Sequence, residues 1–425
     1  MHCADRLRLG APATILALLL SACGGNSSET TIIGGGTAGG AGTAIAAIDT
    51  PTGSNTTEII VDAGPSAGFS LGAANVPYVV VKVCAPGSAD ACVTIDHVLL
   101  DTGSVGLRLL KSTVAALSLP ALLLPSDPTR GTPAGVVAEC YPFVLGAVWG
   151  SLAAADVHIG GETASALPVQ LIDDESPAAL PAPADCVAAG DGALQNSAAS
   201  LQANGILGVG MIAYDCGLAC ITADYSAGYS LYYSCPVPNV QPCTPAAVPA
   251  DRQVLNPVVH FAVNNNGTIV MLPQLPDLGA GVARGRLVFG IGTQANNQIS
   301  LTARMYSVET DPANLNYLYF STQVGATEYP QSYIDSGSNA LFFHDPSIAK
   351  GCQSSAGSSE GWYCPPSLLH RTATLTDALG NSGLIDFSVA NADALFSTPS
   401  LAFSDLAGST GPGTSSFTWG LPFFF

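Results

Sequence analysis

The chain has 425 residues, of which 48% are hydrophobic and only 10% charged, so it can bury a large core and disorder is not expected. Twelve lysines and arginines against 31 aspartates and glutamates give a formal net charge of −19, which excludes a surface suited to a phosphate backbone. We therefore expect no nucleic-acid partner. The 46 glycines and 30 prolines, set between short runs of strand formers, favour a turn-rich, mostly β fold.

The N-terminus has the pattern of a secretory signal. Arg6 and Arg8 precede an apolar run at 15–20, which is too short to cross a bilayer as a helix. Residues 20–23, Leu-Ser-Ala-Cys, resemble the bacterial lipobox. This resemblance implies a lipoprotein signal peptide at 1–23, with cleavage before Cys23 and acylation of Cys23 by fatty acids such as palmitate.

The residues after Cys23 indicate where such a lipoprotein is delivered. Gly24 and Gly25 follow Cys23, and no aspartate stands there, which in Gram-negative lipoproteins permits export to the outer membrane. We expect an outer-membrane lipoprotein of the cell envelope that faces the periplasm or the cell surface. Its contact with the membrane is expected through the lipid anchor only.

The cysteine count indicates disulfides. Besides Cys3 and Cys23 there are ten cysteines, an even number in a chain expected to be exported. Zinc is the competing interpretation, but no histidine lies near any of these cysteines in sequence. We predict no metal and no cofactor, and we predict pairing between neighbours: Cys84 with Cys92, Cys216 with Cys220, Cys235 with Cys243, Cys352 with Cys364, and Cys140 with Cys186.

In chain order, a flexible Gly/Thr/Ser tether is predicted at 24–70, and regular structure is predicted to begin near Val76. An N-terminal β lobe follows at 71–280 and a C-terminal β lobe at 281–425. Asn266-Gly267 predicts a hairpin turn between two strands, and 112–119 is the best short helix. Strands are predicted at 79–83, 93–100, 156–159, 167–172, 286–290, 299–304, 317–320 and 333–334.

The two blocks share a repeated motif. Residues 99–104 read Leu-Leu-Asp-Thr-Gly-Ser and residues 333–338 read Tyr-Ile-Asp-Ser-Gly-Ser, so an apolar strand runs into Asp101 and another into Asp335. Either tetrapeptide alone is typical of an ordinary turn whose carboxylate caps backbone amides. Two copies, each entered by an apolar strand, favour an internal duplication.

From about residue 75 to the end, the sequence resembles the pepsin family of aspartic peptidases. The resemblance implies a bilobal fold in which each lobe contributes one catalytic aspartate, Asp101 or Asp335, to a pair at the lobe junction. The flanking residues of each loop would support this pair. In the family pattern, Thr102 and Ser336 cross-brace the opposite loop, Gly103 and Gly337 let backbone amides approach the carboxylates, and Ser104 and Ser338 bond the outer carboxylate oxygens.

Further segments resemble elements of the family in the same chain order, and other positions differ from the family pattern. Residues 204–208 resemble the element that closes the first ψ-shaped loop, 418–420 its counterpart, 156–161 the strand and turn after the flap hairpin, and 285–292 the segment joining the lobes. Tyr141 is the candidate for the flap tyrosine. The aromatic residue usually found after the first motif is replaced by Leu107 or Arg108. The sequence ends at Phe425, where the family continues into further strands, which predicts a truncated lobe.

The resemblance implies an aspartic endopeptidase that hydrolyses peptide bonds through a water activated by Asp101 and Asp335. Two carboxylates held close together repel, so they share one proton, and the pair can act as both base and acid. We expect a peptide or protein substrate and a monomeric protein. The alternative is a non-catalytic surface or periplasmic binding lipoprotein on the same scaffold.

Overall fold

The computed structural model describes residues 18–20, 45–48, 53–65, 74–129, 132–174, 180–222, 230–236, 242–310, 318–349, 352 and 361–425. Strands account for 43% of these residues and helices for 11%, which confirms the mostly β class. The strands form one sheet of 14 strands, one of eight, and a separate pair.

In chain order the strands are β1 (Leu18–Leu20), β2 (Ile45–Ala47), β3 (Thr56–Val61), β4 (Pro77–Cys84), β5 (Cys92–Asp101), β6 (Val105–Leu110), β7 (Leu123–Leu124), β8 (Gly135–Phe143), β9 (Gly146–Ile159), β10 (Glu162–Ile172), β11 (Gly205–Val209), β12 (Tyr232–Cys235), β13 (Thr244–Pro245), β14 (Thr268–Met271), β15 (Val282–Phe289), β16 (Arg304–Tyr306), β17 (Glu309–Thr310), β18 (Leu318–Val324), β19 (Thr327–Ile334), β20 (Leu341–Phe342), β21 (Leu369–Thr376), β22 (Ser382–Val389), β23 (Ala407–Gly408) and β24 (Thr418–Trp419).

The helices are short. Four are α-helical, namely α1 (Ala184–Ala189), α2 (Ala198–Leu201), α3 (Leu218–Thr222) and α4 (Ala392–Phe396). Single 3₁₀ turns lie at Lys111–Val114, Ala250–Arg252, Val258–His260, Ala295–Asn297 and Leu421–Phe424. The described part of the chain contains no helix long and apolar enough to cross a membrane.

The large sheet comprises β2 to β15 and the smaller sheet β17 to β24, while β1 pairs with β16. The large sheet covers a core of buried aliphatic side chains, among them Leu100, Leu107 and Leu207. The core of the smaller sheet is aromatic: the Phe417 ring stacks on Phe343 at 4.6 Å and on Trp419 at 4.3 Å between centroids. Each sheet therefore has a core of its own.

The two sheets repeat one arrangement of five strands. In the large sheet the spatial order is β4-β5-β11-β6-β10, and in the smaller sheet it is β18-β19-β24-β20-β23. In both, the central strand (β11 or β24) lies parallel to the strand on one side and antiparallel to the strand on the other. The chain order and strand directions match throughout, so the duplication seen in the motifs extends to the topology.

A bulge in β5 directs its last residues. His97 has a φ of 47°, and the pairing of β4 with β5 shifts register beside it. A shift of one residue changes which side chains face the core. Without the bulge, Ile95 would face one side of the sheet, and Val98 and Leu100 would face the other. With the bulge, all three side chains are buried. The bulge sets the face from which Asp101 emerges.

Asn75 joins the two halves just before β4. Its side-chain amide donates to the carbonyls of Asn339 and Phe403, each at 2.9 Å, and its side-chain oxygen accepts from the Phe403 N–H at 2.7 Å. Asn75 is fully buried. The contacts fix the start of the first repeat against the loop that follows Asp335.

All five predicted disulfides are present and connect the predicted partners: Cys84–Cys92, Cys140–Cys186, Cys216–Cys220, Cys235–Cys243 and Cys352–Cys364. Four of them close loops of at most 12 residues, whereas Cys140–Cys186 spans 46 residues and ties β8 to α1.

The structure corrects the predicted tether at 24–70. Within it, β2 and β3 are strands of the large sheet, and Ile59 and Val61 of β3 are fully buried. Both strands pair with β15, which also belongs to the large sheet although it falls in the predicted C-terminal lobe. Local composition could not reveal this pairing, because the partner strand lies more than 200 residues away in sequence.

Three local predictions were also wrong. The chain before Asn266-Gly267 contains the 3₁₀ turn at Val258–His260 and no strand in residues 258–267, so β14 pairs with β15 and not across that turn. The predicted helix at 112–119 is a 3₁₀ turn at Lys111–Val114. The strand predicted at 299–304 instead begins at Arg304, where it pairs with β1.

Candidate active site

The two motif aspartates occupy equivalent places in the repeat. Asp101 is the last residue of β5, and Asp335 directly follows β19. Both strands pair in parallel with the central strand of their repeat, β11 and β24 respectively. The chain leaves the sheet at each aspartate, so the following Gly-Ser segment is free to fold back on the carboxylate.

Each carboxylate is held by the same two donors from its own loop. The Gly103 N–H donates to Asp101 Oδ1 at 2.8 Å, and the Ser104 hydroxyl donates to Asp101 Oδ2. In the second loop, Gly337 N–H donates to Asp335 Oδ1 at 2.9 Å and the Ser338 hydroxyl to Oδ2 at 2.6 Å. These bonds fix the orientation of both carboxyl groups.

The loops brace each other through Thr102 and Ser336. The Ser336 N–H donates to Thr102 Oγ1 at 2.9 Å, and the Thr102 N–H donates to Ser336 Oγ at 3.1 Å. The hydroxyls then donate onward to strand carbonyls of the opposite half: Ser336 to Leu100 at 2.7 Å and Thr102 to Ile334 at 3.4 Å. Four hydrogen bonds thus join the two halves directly behind the aspartates.

Two glycines allow this close approach. A Cβ atom on Gly103 would lie 2.8 Å from Cγ of Asp335, and one on Gly337 would lie 2.9 Å from Oδ1 of Asp101. Each glycine therefore faces the carboxylate of the opposite loop. Any larger residue at either position would push the two aspartates apart.

The two carboxyl groups interact directly. Burial, the charge of Asp101 and a hydrogen bond between the two carboxyls raise the pKa of Asp335 from 3.8 to about 8, against the opposing effect of bonds from Ser338 and Gly337. Asp101 is only 5% exposed. Near neutral pH Asp335 is accordingly protonated.

A cleft opens beside the first loop and reaches the flap candidate. It is bounded by the Asp101 loop, by the hairpin that carries Tyr141, and by the start of the second sheet. Its lining combines polar and apolar groups, from Thr102, Gly103, Ser104, Val105, Tyr141, Gly210, Met211, Ile212, Leu318, Phe320, Tyr333 and Ile334. Tyr141 lies on β8, three residues before Val144, which begins the hairpin turn with Leu145.

A buried charge cluster that the sequence did not predict lies behind the cleft. It is formed by Arg108, Glu139 and Asp215 with the Tyr232 hydroxyl. All four are fully buried. Arg108 donates to Glu139 at 2.7 and 3.2 Å and to Asp215 at 3.3 Å. The signal available in sequence was a lone charge inside each of two apolar strands, since such charges are rarely buried unpaired.

Among the residues that the structure describes, no group of potential metal ligands includes Asp101 or Asp335. Within the described ranges, Cys352, Cys364 and Asp393 are the group of potential ligands that lies close together. The two cysteines form a disulfide, so their sulfurs are not thiolates. Cys23, the predicted lipidation site, lies outside the described residues.

Comparison with known proteins places the chain in a family without an assigned activity. Residues 51–425 match the family described as "Protein of unknown function (DUF3443)". No curated protein matches the chain. Because the family match covers well over half of the sequence, the chain belongs to the DUF3443 family.

Proposed function

We propose that the protein is an aspartic-type endopeptidase with a bilobal fold similar to that of the pepsin family. The observation that carries the proposal is the convergence of the two carboxyl groups: a Cβ atom on Gly103 would lie 2.8 Å from Oδ1 of Asp335 and 3.2 Å from Oδ1 of Asp101. The repeated order of five strands supports the bilobal assignment, since each repeat contributes one aspartate from the same topological position. The reciprocal Thr102 and Ser336 bonds support a pair held rigidly.

The proposed reaction uses the single proton of the pair. The ionised carboxylate accepts a proton from a water molecule while the water oxygen attacks the peptide carbonyl carbon. The protonated carboxyl hydrogen-bonds the carbonyl oxygen and stabilises the tetrahedral intermediate. Transfer of a proton to the peptide nitrogen lets the C–N bond break, which releases a carboxylic acid and an amine. The enzyme ends with one proton on the pair, as it began.

The substrate is proposed to be an extended peptide or an unfolded protein. The cleft is lined by both polar and apolar groups and lies between the hairpin of Tyr141 and the second sheet. An extended segment can bind there through backbone hydrogen bonds, with apolar side chains in the lining pockets. Export as a lipoprotein acylated at Cys23, and action as a monomer in the cell envelope, complete the proposal.

The test is hydrolysis of an unfolded protein by the purified chain from acidic to neutral pH. We expect endoproteolytic fragments, and we expect a peptide with a statine unit, which mimics the tetrahedral intermediate, to inhibit. Tight binding of the statine peptide without cleavage would favour the non-catalytic binding lipoprotein. A protein that neither cleaves the substrate nor binds the statine peptide at any pH would show that the proposed active site is wrong.

A further inference from the structure

Arg108 lies with its guanidinium against the ring of Tyr141. Its Cζ atom is 4.0 Å from the ring centroid. Arg108 belongs to β6, which begins directly after the Asp101 loop and is buried along its whole length. Tyr141 belongs to the hairpin of β8 and β9 and lines the same cleft as Thr102 and Ser104. Together with the bonds from Arg108 to Glu139, which also lies on β8, this contact connects the strand after the Asp101 loop to the hairpin beside the cleft.

The guanidinium is fixed in place on its edges. Glu139 accepts two hydrogen bonds from it, at 2.7 and 3.2 Å, and the Val105 carbonyl accepts a third at 2.8 Å. Asp215 accepts a fourth at 3.3 Å and is itself bonded by the Tyr232 hydroxyl at 2.7 Å. With its edge bonded in this way, the planar group presents its face to the Tyr141 ring.

The fold alone does not require a charge at this position. Removing an arginine and a carboxylate from water costs several kcal/mol per ion, and apolar side chains of similar volume commonly pack at least as well. Burial and the charge of Glu139 raise the pKa of Asp215 well above its usual range. The raised pKa favours the protonated form of Asp215, so the closest ionic contact of Arg108 is the one to Glu139, at 2.7 Å against 3.3 Å to Asp215.

We propose that Arg108 is a positioning residue that holds Tyr141, and with it the arm of the β8–β9 hairpin, over the substrate cleft. The tip of that hairpin is apolar and exposed, with Val144 at 89% and Leu145 at 75%. A fixed arm with a free tip suits a flap that closes on a bound peptide. The substrate role rests on the proposed function, whereas the anchoring of the hairpin does not.

The test requires a variant that removes the guanidinium without leaving a buried charge. Arg108→Met alone would leave the Glu139 carboxylate buried without its ion-pair partner. The variant is therefore Arg108→Met combined with Glu139→Gln, in which the new amide can still bond to Asp215. Tyr141→Leu removes the ring and Tyr141→Phe keeps it. The matched control is Arg284→Met with Glu58→Gln, the same exchange at an exposed ion pair of 2.9 Å.

Two measurements separate positioning from general stability and from catalysis. Hydrogen exchange of the backbone amides at 141–148 reports the hairpin without any need for turnover. Peptide hydrolysis reports KM and kcat separately. We expect the Arg108 variant and Tyr141→Leu each to speed hairpin exchange about 3- to 30-fold, the range of a buried cation–π contact. The control pair should keep the wild-type protection, and Tyr141→Phe, which keeps the ring, should stay closer to wild type than Tyr141→Leu.

The hydrolysis data should show a rise in KM of similar size with a smaller change in kcat. Adding Tyr141→Leu to the Arg108 variant should add nothing further, because the Arg108 variant has already lost the contact between the guanidinium and the ring. Faster hairpin exchange in a protein that hydrolyses no peptide would uphold the anchor and reject the peptidase. Unchanged exchange at 141–148 in the Arg108 variant, or fully additive effects of the two changes, would overturn the anchor even if hydrolysis is observed.

Discussion

Thr102 and Ser336 exchange two hydrogen bonds across the two halves of the protein, each hydroxyl accepting from the other residue's backbone N–H, at 2.9 and 3.1 Å. The two residues stand next to Asp101 and Asp335 in sequence. The spacing of the aspartates is therefore set by hydrogen bonds between the backbone and two short side chains, and not by the mobile ends of long side chains. A rigid frame of this kind suits catalysis by a preorganised pair.

Removing the Thr102 hydroxyl should weaken the hydrogen bonding that holds the Asp101 and Asp335 loops together. Thr102→Val keeps the shape of the side chain but leaves the Ser336 N–H without its acceptor, so we expect a loss of about 1–3 kcal/mol in the free energy of unfolding. The rate of peptide hydrolysis should also fall in this variant. Urea titration and peptide turnover measure the two effects. Thr102→Ser retains the hydroxyl and should stay close to wild type in stability, and equal losses in Val and Ser variants would argue against the brace.

The loop glycines should be intolerant of a methyl group. In Gly103→Ala the new Cβ would lie 2.8 Å from Cγ of Asp335, so the carboxyl groups must separate and hydrolysis should be lost. Gly87→Ala is the control. Gly87 has a φ of 74° but nothing within 4 Å of an added Cβ, so that variant should lose only about 1 kcal/mol of stability. Full activity in Gly103→Ala would contradict the close approach.

The shared proton predicts an alkaline limit to activity. The pKa of Asp335 is raised to about 8, so the pair should lose its one proton, and hydrolysis should decline, as pH rises through that value. The profile of kcat/KM against pH measures this limit. A rate that stays constant well above pH 8 would indicate that the shared proton has no part in the reaction.

The same pKa predicts a stability change with a definite sign. Because the folded-state pKa of Asp335 is about 8 and its ordinary value is 3.8, the folded state binds more protons than the unfolded state between these limits. The free energy of unfolding should therefore decrease as pH rises from about 4 to about 8. Asp335→Asn should flatten this slope in urea titrations at several pH values, whereas Asp90→Asn, an exposed residue, should not.

The disulfides should contribute unequally to stability. The Cys140–Cys186 bond closes 46 residues and Cys216–Cys220 only four. Chain entropy gives about 4 kcal/mol for the first loop and about 2 kcal/mol for the second. Paired alanine variants in denaturant titration would measure both. A larger loss for the Cys216–Cys220 pair would show that chain entropy is not the dominant effect.

The sequence predicted the features that repeat or that depend on near neighbours. Two copies of Asp-(Thr/Ser)-Gly-Ser, each after an apolar strand, led to Asp101 and Asp335. Short cysteine spacings led to four of the disulfide pairs and left Cys140 for Cys186. Tyr141 was placed on the hairpin arm only by its resemblance to a family pattern. These predictions needed no knowledge of which distant strands pair.

What could not be predicted depends on contacts between distant segments. Arg108, Glu139 and Asp215 form one cluster only because β6, β8 and the segment after β11 meet in three dimensions. The strand β3 lies in a stretch of weak local pattern and is stabilised by its pairing with β15. Asn266-Gly267 failed as a hairpin because the Asn266 side chain bonds the backbone of Ile291 instead.

The most direct test of the aspartate pair is peptide hydrolysis by Asp101→Asn and Asp335→Asn, measured beside wild type and Asp90→Asn. Each asparagine has the size of the aspartate it replaces, so folding should be retained and can be checked by near-UV circular dichroism. We expect both pair variants to lose about 10²- to 10⁴-fold or more in kcat, the scale of positioned acid–base catalysis, with Asp90→Asn unaffected. Hydrolysis at the wild-type rate by either pair variant would contradict the proposed mechanism.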